Sequence, residues 1–212
     1  MEIDDLRRHY KERKKEIRAR LAEFPEVYKS GDLAIFKELC FCILTANTSA
    51  KMGITCIEAA GDGILTADVD GLRDVLCGRY RFWRIRPAYI IHTRDYLKRE
   101  LGFRIKDKIE SLEGFHERRD FFADNPGVKG LGYKEASHFL RNIGFRGYAI
   151  LDKHIVNLLH ELGVIPDNKK PAGKKKYVLM EERLREFAKD IKIDMDELDL
   201  TLWSYKTGVV LK

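Results

Sequence analysis

The sequence predicts an all-α fold built from at least nine helices. Apolar residues recur at helical spacing along almost the whole chain, and the alternating runs typical of strands are hard to find. Glycine, proline and aspartate stand at several ends of these periodic segments, where they supply start and stop signals. We therefore expect helices that are joined by short turns.

The first predicted helix runs from Glu2 to Glu23 and is highly charged, with one apolar stripe for docking. Asp32 is placed to cap a second helix, from Leu33 to about Thr45, which is apolar nearly all round and therefore belongs to the core. Further helices are expected at about residues 51–60, 69–76, 87–100, 105–111, 115–123, 133–144, 153–163, 178–191 and 195–205.

We expect these helices to form two subdomains. Residues 33–148 would make the central subdomain, which includes the hairpin described below. Residues 1–32 would pack with residues 149–212 to make the second one. An active site would then lie in the cleft between the two.

Composition limits the class of protein. Of the 212 residues, 40 are Lys or Arg and 34 are Asp or Glu, which gives a net charge of +6. An apolar content of 44% excludes intrinsic disorder. No apolar run approaches about 18 residues and the N-terminus is charged, so we expect neither a transmembrane span nor a secretory signal. The absence of Gln and the 35% of charged residues indicate a thermophilic source.

The four cysteines are too sparse and irregular for a disulfide framework in a chain of this length. The one close pair has C-x-C spacing, and no second pair or nearby histidine completes a tetrahedral metal site. We expect core cysteines and no bound metal. The four are Cys40, Cys42, Cys56 and Cys77.

The segment VKGLGYKEASHFLRNIG, residues 128–144, has the pattern of a helix–hairpin–helix. Gly130 and Gly132 permit a tight turn whose N–H groups can hold a phosphate at the start of the next helix. Such binding does not depend on base sequence and suits a protein that scans duplex DNA. Lys129, on the same turn, is a candidate phosphate contact. An ordinary turn between two helices is the alternative.

Lys134 lies in the first turn of the helix that follows, where the positive end of the helix dipole disfavours a cation. A surface lysine gains nothing from this position. A lysine that must lose its proton to act as a nucleophile is favoured by the same field. Contact with a phosphate is the competing interpretation, although Lys129 is better placed for it.

Asp152 precedes the next predicted helix, in the segment AILDKHIV. The helix from Tyr133 to about Ile143 rises about 15 Å, and residues 144–151 can span up to about 26 Å when extended. This connection can therefore run back and bring Asp152 close to Lys134. A capping carboxylate is held rigid, and beside an amine it can act as a general base or stabilise a cation. Capping alone is the alternative.

The turn, Lys134 and Asp152, together with His154 in the segment LDKH, resemble the helix–hairpin–helix signature of base-excision DNA glycosylases. The resemblance covers most of the chain. It implies that Lys134 attacks C1′ of the damaged nucleotide, expels the base and forms a Schiff base, after which β-elimination nicks the strand. It also implies that Asp152 stabilises the oxocarbenium-like charge, and that His154 positions the backbone or a phosphate.

Two absent features indicate the branch of this superfamily to which the chain is similar. No cysteine follows Cys77, whereas members with an iron–sulfur cluster carry four near the C-terminus, and the β-domain of eukaryotic 8-oxoguanine glycosylases is also absent. The size and the final Lys212 resemble the compact second family of 8-oxoguanine DNA glycosylase/lyases of archaea and some bacteria. This resemblance implies that the terminal carboxylate of Lys212 accepts the N7–H of the oxidised base.

Trp203 can stack on a base that has been flipped out of the duplex, although a core tryptophan is the alternative. The tail would fray unless residues 209–211, which are apolar, dock it. Asn47, in the polar segment LTANTSAKM, matches the family's reader of the opposite base. The lysine-rich loop of residues 169–176 is expected to be solvated.

The stretch GRYRFWRIRP, residues 78–87, interleaves arginines with aromatic residues. Arg84 and its neighbours can contact phosphates there, and Tyr80, Phe82 or Trp83 can insert a wedge into the gap left by a flipped base. A buried aromatic cluster with solvated arginines is an equal alternative.

The chain is thus expected to act as a monomer on double-stranded DNA that contains 8-oxoguanine, in the prokaryotic cytoplasm and near the nucleoid. No cofactor is expected, although the family resemblance suggests a monovalent cation held by carbonyls of the hairpin turn. Two alternative hypotheses stay open. A glycosylase/lyase for oxidised pyrimidines would tolerate the loss of Lys212, and a non-catalytic DNA-binding module would keep its duplex affinity without Lys134.

Overall fold

A computed structural model describes residues 2–211, which contain twelve helices and no strand, and this confirms the all-α prediction. None of these helices has an apolar stretch long enough to cross a membrane. In chain order they are α1 (Ile3–Lys29), α2 (Asp32–Thr45), α3 (Ala50–Ala60), α4 (Gly63–Thr66), α5 (Val69–Leu76), α6 (Arg86–Leu101), α7 (Ile105–Glu110), α8 (Phe115–Ala123), α9 (Tyr133–Asn142), α10 (Lys153–Glu161), α11 (Gly173–Ile191) and α12 (Met195–Thr207).

Two helix boundaries differ by several residues from the predictions, and one short helix was not predicted. α1 continues through Pro25 to Lys29, although proline disfavours a helix interior, and Phe24 beside the proline packs into the core. α11 begins at Gly173, several residues before the predicted start, so its first turn includes lysines that had been assigned to a solvated loop. The single-turn helix α4 is too short to produce a periodic pattern.

The prediction that Asp32 caps its own helix is wrong. Gly31 is the N-cap residue of α2 and has no side chain to offer. Asp32 Oδ1 instead accepts the N–H of Lys106 at 2.7 Å, in the first turn of α7. The carboxylate therefore satisfies the start of a different helix, a role that the local sequence cannot reveal.

Residues 27–139 form one compact unit around α2. Almost every residue of α2 from Ile35 onward is buried, and the helix packs against α3, α6 and α7. Cys40 and Cys42 lie on α2 with no exposed surface, as predicted, and Cys56 on α3 is also buried. Cys77 is exposed and is not a core residue.

The second compact unit comprises residues 2–26 and 140–211. In it α12 packs against α10 and α11, and α1 adds an apolar face. One core cluster consists of Ile17, Leu21, Phe24, Leu200 and Val210. Val210 in the tail is 4% exposed, so the C-terminal segment docks on this cluster as far as that residue.

The boundaries between the two units lie inside helices, between residues 26 and 27 of α1 and between residues 139 and 140 of α9. The sequence-based boundaries were placed in connections instead, after residues 32 and 148. A helix that serves two units keeps one continuous apolar pattern, so composition gives no signal at such a boundary.

A buried ion pair lies within the second unit. Arg141 Nη1 is 2.7 Å from Asp199 Oδ2, and both side chains are at least 95% buried. The other oxygen of Asp199 accepts the N–H of Ile150 at 3.0 Å. Burial raises the pKa of Asp199 from 3.8 to about 6, because the loss of hydration outweighs the attraction of Arg141.

This shift predicts a specific pH dependence of stability. The unfolded chain releases the proton of Asp199 near pH 3.8 and the native protein near pH 6. The native state therefore binds more protons in this window, and the contribution of Asp199 to the free energy of unfolding falls as the pH rises through it. The fall has an upper limit of about 3 kcal/mol.

Urea denaturation of the wild type and of Asp199→Asn at several pH values between 4 and 7 measures this contribution. The asparagine cannot titrate, so the stability of the wild type relative to the variant should decrease with increasing pH. A relative stability that stays constant or increases would contradict the prediction.

Candidate active site

α8 and α9 form the two helices of the predicted hairpin, and a buried arginine joins them. Arg119 has no exposed surface, and its Nη1 donates to Ser137 Oγ at 3.3 Å. At the start of α9, the hydroxyl of Tyr133 lies 2.8 Å from Asp120 Oδ1 and 2.5 Å from Asp124 Oδ2 and shares its one proton between the two carboxylates. Burial and these two carboxylates raise the pKa of Tyr133. Polar contacts thus fix both helices at the turn.

The turn between α8 and α9 is held by one face of α6. Thr93 Oγ1 accepts the N–H of Lys129 at 2.9 Å. The hydroxyl of Tyr96 accepts a hydrogen bond from Asn125 Nδ2 at 2.9 Å. The ring of Tyr96 also lies so close to Gly127 that a β-carbon there would come within 2.2 Å of it. The turn therefore requires glycine at this point of close approach.

The two glycines of the predicted motif, Gly130 and Gly132, differ in how strictly their positions require glycine. Gly130 has φ +86°, and a β-carbon there would lie 2.8 Å from the ring of Tyr89 and 3.0 Å from Nη1 of Arg86. Gly132 does not have a positive φ, and its β-carbon would meet only the flexible end of Glu135, at 3.5 Å. Of these two positions, only that of Gly130 requires glycine.

The expected monovalent cation would be held by carbonyl oxygens of the hairpin turn. Arg86 Nη1 donates to the carbonyl oxygen of Gly130 at 3.2 Å, and His92 Nε2 lies 3.1 Å from that of Pro126. Side chains of α6 therefore already contact two of the carbonyls, and the guanidinium charge of Arg86 disfavours a cation at the Gly130 oxygen. Within residues 2–211, no group of three or more His, Cys, Asp or Glu side chains is arranged to hold a metal ion.

Lys134 is the second residue of α9, as predicted, and its side chain is 25% exposed. Its Nζ is 3.6 Å from Glu135 Oε1, while Oε2 of the same carboxylate accepts the N–H of Gly132 at 3.3 Å. The N–H groups of Gly130 and Lys134 have no protein acceptor in the described part of the chain. They are therefore available to an anion at the start of the helix.

Glu135 was not predicted as part of this site. A signal for it was present, because Glu three residues after a helix cap is half of a capping box. The structure uses the carboxylate in this way and also places it beside the amine of Lys134. A half-buried amine next to a carboxylate that can accept a proton is suited to nucleophilic chemistry.

Asp152 caps α10, as predicted. Its Oδ1 accepts the N–H groups of His154 and Ile155 at 2.8 and 2.9 Å. The ring of His154 meets that of Trp203 edge to face, with centroids 5.9 Å apart. Trp203 is half-buried, and its Nε1 is buried without a hydrogen-bond partner among residues 2–211. Lys212 lies outside the described residues, so its predicted contact with the base stays a prediction.

The remaining predicted site residues lie in the unit of residues 27–139. Asn47 is exposed in the loop between α2 and α3 with φ +60°, which asparagine tolerates better than most residues. Lys129 is exposed on the hairpin turn. Lys134 belongs to this unit and Asp152 to the other, and their predicted proximity stays a prediction.

The arginine-rich stretch is partly an aromatic cluster. The guanidinium of Arg84 lies 4.5 Å from the centroid of the Trp83 ring, and its side chain is exposed. Tyr80 is 2% exposed and donates to the carbonyl of Leu44 at 2.7 Å, so for this residue the alternative of a buried aromatic side chain holds and a wedge is excluded. Ile85 is 51% exposed beside Arg84, and an isolated isoleucine gave no signal in the sequence.

These features define an all-α helix–hairpin–helix protein. Its hairpin turn offers free N–H groups, and the helix after the turn has a lysine as its second residue. The chain belongs to the 8-oxoguanine DNA glycosylase family, because the family model of that description matches residues 17–193. The predicted resemblance is therefore confirmed.

Curated relatives and solved structures agree with this assignment. A protein of Methanocaldococcus jannaschii named 8-oxoguanine DNA glycosylase/AP lyase is 41% identical over 194 residues, 91% of this chain and 90% of that protein. A relative of the same name from Korarchaeum cryptofilum is 39% identical over 212 residues, 99% of this chain and 97% of its own.

Two solved structures share the fold. The M. jannaschii 8-oxoguanine glycosylase/lyase in complex with a 15mer DNA containing 8-oxoguanine superposes with a TM-score of 0.87 at 38% identity, over 97% of this chain and 98% of that one. The 8-oxoguanine DNA glycosylase of Thermotoga maritima gives a TM-score of 0.87 at 34% identity, over 99% and 97%.

The two hairpin glycines provide a matched pair of substitutions. Gly130→Ala should lower the free energy of unfolding by about 2–4 kcal/mol, because left-handed strain adds to a clash with Tyr89 and Arg86. Gly132→Ala should cost less than about 1 kcal/mol. Urea denaturation of both variants measures the difference, and equal losses would refute the assignment of Gly130 as the constrained position.

Proposed function

We propose that this protein excises 8-oxoguanine from double-stranded DNA and cleaves the DNA strand at the resulting abasic site. The observation that carries the proposal is the similarity, over 91–99% of the chain, to relatives named 8-oxoguanine DNA glycosylase/AP lyase. The hairpin supplies Lys134 as the candidate nucleophile.

Lys134 is the nucleophile in this proposal. Its neutral amine attacks C1′ of the damaged nucleotide, the bond from C1′ to the base breaks, and the base leaves with the electron pair of that bond. Opening of the sugar converts the covalent intermediate to a Schiff base between Nζ and C1′. Loss of a proton from C2′ then expels the 3′ phosphate by β-elimination. The half-buried side chain supports this role, and the adjacent Glu135 carboxylate can accept the proton that the ammonium must lose before it attacks.

Asp152 supplies the negative charge that the first step needs. Departure of the base leaves an oxocarbenium-like sugar, and a fixed carboxylate stabilises such a cation. The two backbone N–H groups at the start of α10 hold the carboxylate in one orientation. The same group can take the proton that the attacking amine loses.

DNA binding is proposed for the charged and donor groups around the hairpin. The net charge of +6 favours association with the phosphate backbone. The free N–H groups of the turn and the exposed Lys129 are suited to one phosphate, and His154 to another. Arg84 and Asn47 are exposed; Arg84 is proposed to contact a phosphate, and Asn47 to read the base opposite the lesion. With DNA as its substrate, the protein is proposed to work near the nucleoid of a prokaryotic cell.

Base recognition is proposed for Trp203 and Lys212. The indole of Trp203 offers a face for stacking beside His154. The buried tail residue Val210 holds the segment that leads toward Lys212.

Borohydride trapping tests the nucleophile. Wild-type protein incubated with a duplex containing 8-oxoguanine opposite cytosine should form a covalent adduct when borohydride reduces the Schiff base. Lys134→Gln should form none and should lose strand cleavage, a decrease of roughly 10³-fold or more. Lys153→Gln, which removes an exposed lysine from the first turn of α10, is the matched control and should react normally.

A duplex with guanine in place of the lesion and one with an oxidised pyrimidine complete this experiment. Trapping on the pyrimidine but not on 8-oxoguanine would assign a different substrate. Duplex binding without any adduct would indicate a non-catalytic DNA-binding module and would overturn the proposed activity.

Trp203 is tested by separating base excision from strand cleavage. Trp203→Ala should slow excision of 8-oxoguanine by roughly 10- to 100-fold, because stacking on a flipped base contributes about 1–3 kcal/mol. Cleavage of a duplex with a preformed abasic site should change little, since that substrate has no base to stack. Trp203→Phe keeps an aromatic face and should lie between the two. Equal losses on both substrates would show that Trp203 acts only through the fold.

A further inference from the structure

The segment that leads into Asp152 is buried although it has no regular structure. Residues 147–151, which we term the connecting segment, join α9 to α10, and four of the five are at least 90% buried. Buried backbone outside helices and sheets must still find partners for its N–H and C=O groups. The partners here are side chains of α11 and α12, within the same compact unit.

α11 contributes three of these side chains at a spacing of four residues. Tyr177 donates its hydroxyl to the carbonyl of Ala149 at 2.6 Å. Glu181 Oε1 accepts the N–H of Ala149 at 3.0 Å. Arg185 Nη2 donates to the carbonyl of Gly147 at 3.1 Å. The spacing places all three on one face of the helix.

α12 contributes two carboxylates at a spacing of three residues. Asp196 Oδ1 accepts the N–H of Gly147 at 2.9 Å, and Asp199 Oδ1 accepts that of Ile150 at 3.0 Å. Both carboxylates are at least 97% buried. The carbonyl of Ile150 in turn accepts the N–H of Asp152 at 2.8 Å. Hydrogen bonds therefore run from α12 through the connecting segment to Asp152.

Burying carboxylates is costly, and a connection between two helices could lie on the surface without them. This free-energy cost has a function if the connecting segment must follow one exact path. We propose that Tyr177, Glu181 and Asp199 are positioning residues for Asp152. By fixing the backbone at Ala149 and Ile150, they set where the carboxylate of Asp152 stands during base excision. The inference rests on the proposed function, in which Asp152 stabilises the sugar cation.

The test is a double-mutant cycle on single-turnover excision of 8-oxoguanine at saturating protein. Tyr177→Phe removes the hydroxyl that holds Ala149 and should slow excision by roughly 10- to 100-fold, because small displacements of a catalytic group have effects of this size. The dissociation constant for the duplex should stay unchanged. Tyr10→Phe is the matched control, because it removes a tyrosine hydroxyl bonded to Glu197 in the same unit but away from the connecting segment.

Asp152→Asn keeps a helix-capping side chain and lacks the negative charge, so it should fold and lose roughly 10²-fold or more in rate. If Tyr177 acts through Asp152, Tyr177→Phe should add less than about 2-fold in the Asp152→Asn background. A second readout is rescue. Glu181→Gln retains an oxygen acceptor for Ala149 and should keep most of the rate, whereas Glu181→Leu should not.

The outcomes separate the two proposals. If Asp152→Asn excises the base at the wild-type rate, the role proposed for Asp152 is wrong and the positioning role falls with it. If Asp152→Asn is impaired but Tyr177→Phe has no effect, or has the same effect in both backgrounds, only the positioning role is overturned. A loss in Tyr10→Phe equal to that in Tyr177→Phe would also overturn it.

Discussion

Backbone that leaves a helix inside the protein must still pair its N–H and C=O groups, and this constraint shapes both irregular segments at the candidate site. The hairpin turn meets it only in part, with side chains of α6: Thr93 accepts from Lys129 and Arg86 donates to Gly130, while the N–H groups of Gly130 and Lys134 keep no protein acceptor. The connecting segment meets it with side chains of α11 and α12. The candidate catalytic residues follow directly after these two segments.

This arrangement explains why Lys134 and Asp152 both stand at the starts of helices. A helix start offers unpaired N–H groups and a favourable field for anions. Asp152 uses that field, since its carboxylate accepts two of the N–H groups of α10. Lys134 opposes it, and α9 compensates with Glu135, whose carboxylate serves both the Gly132 N–H and the lysine amine. The pair therefore places charges of opposite sign in equivalent local geometry.

The sequence predicted what depends on neighbouring residues. Helix periodicity, the hairpin glycines, the cap at Asp152 and the position of Lys134 are all local features, and the structure has them. What the sequence could not predict are contacts between distant elements. Asp32 was expected to cap its own helix but caps α7, because a carboxylate can satisfy any helix start within reach. Tyr80 lies in a stretch of arginines and aromatic residues that suits a wedge, but it is buried and donates to the carbonyl of Leu44.

The polar residues of α11 and α12 are a second case in which the sequence could not predict contacts between distant elements. Tyr177, Glu181 and Asp199 stand on helices whose charge pattern resembles that of a solvated surface, yet they are almost completely buried. In an all-α protein a buried carboxylate has few uses, because helices satisfy their own backbone internally. It becomes useful where a helix has stopped and its chain stays inside. The burial of carboxylates on one helix thus marks a connection elsewhere whose path is fixed, and here that connection ends at the residue proposed to stabilise the reacting sugar.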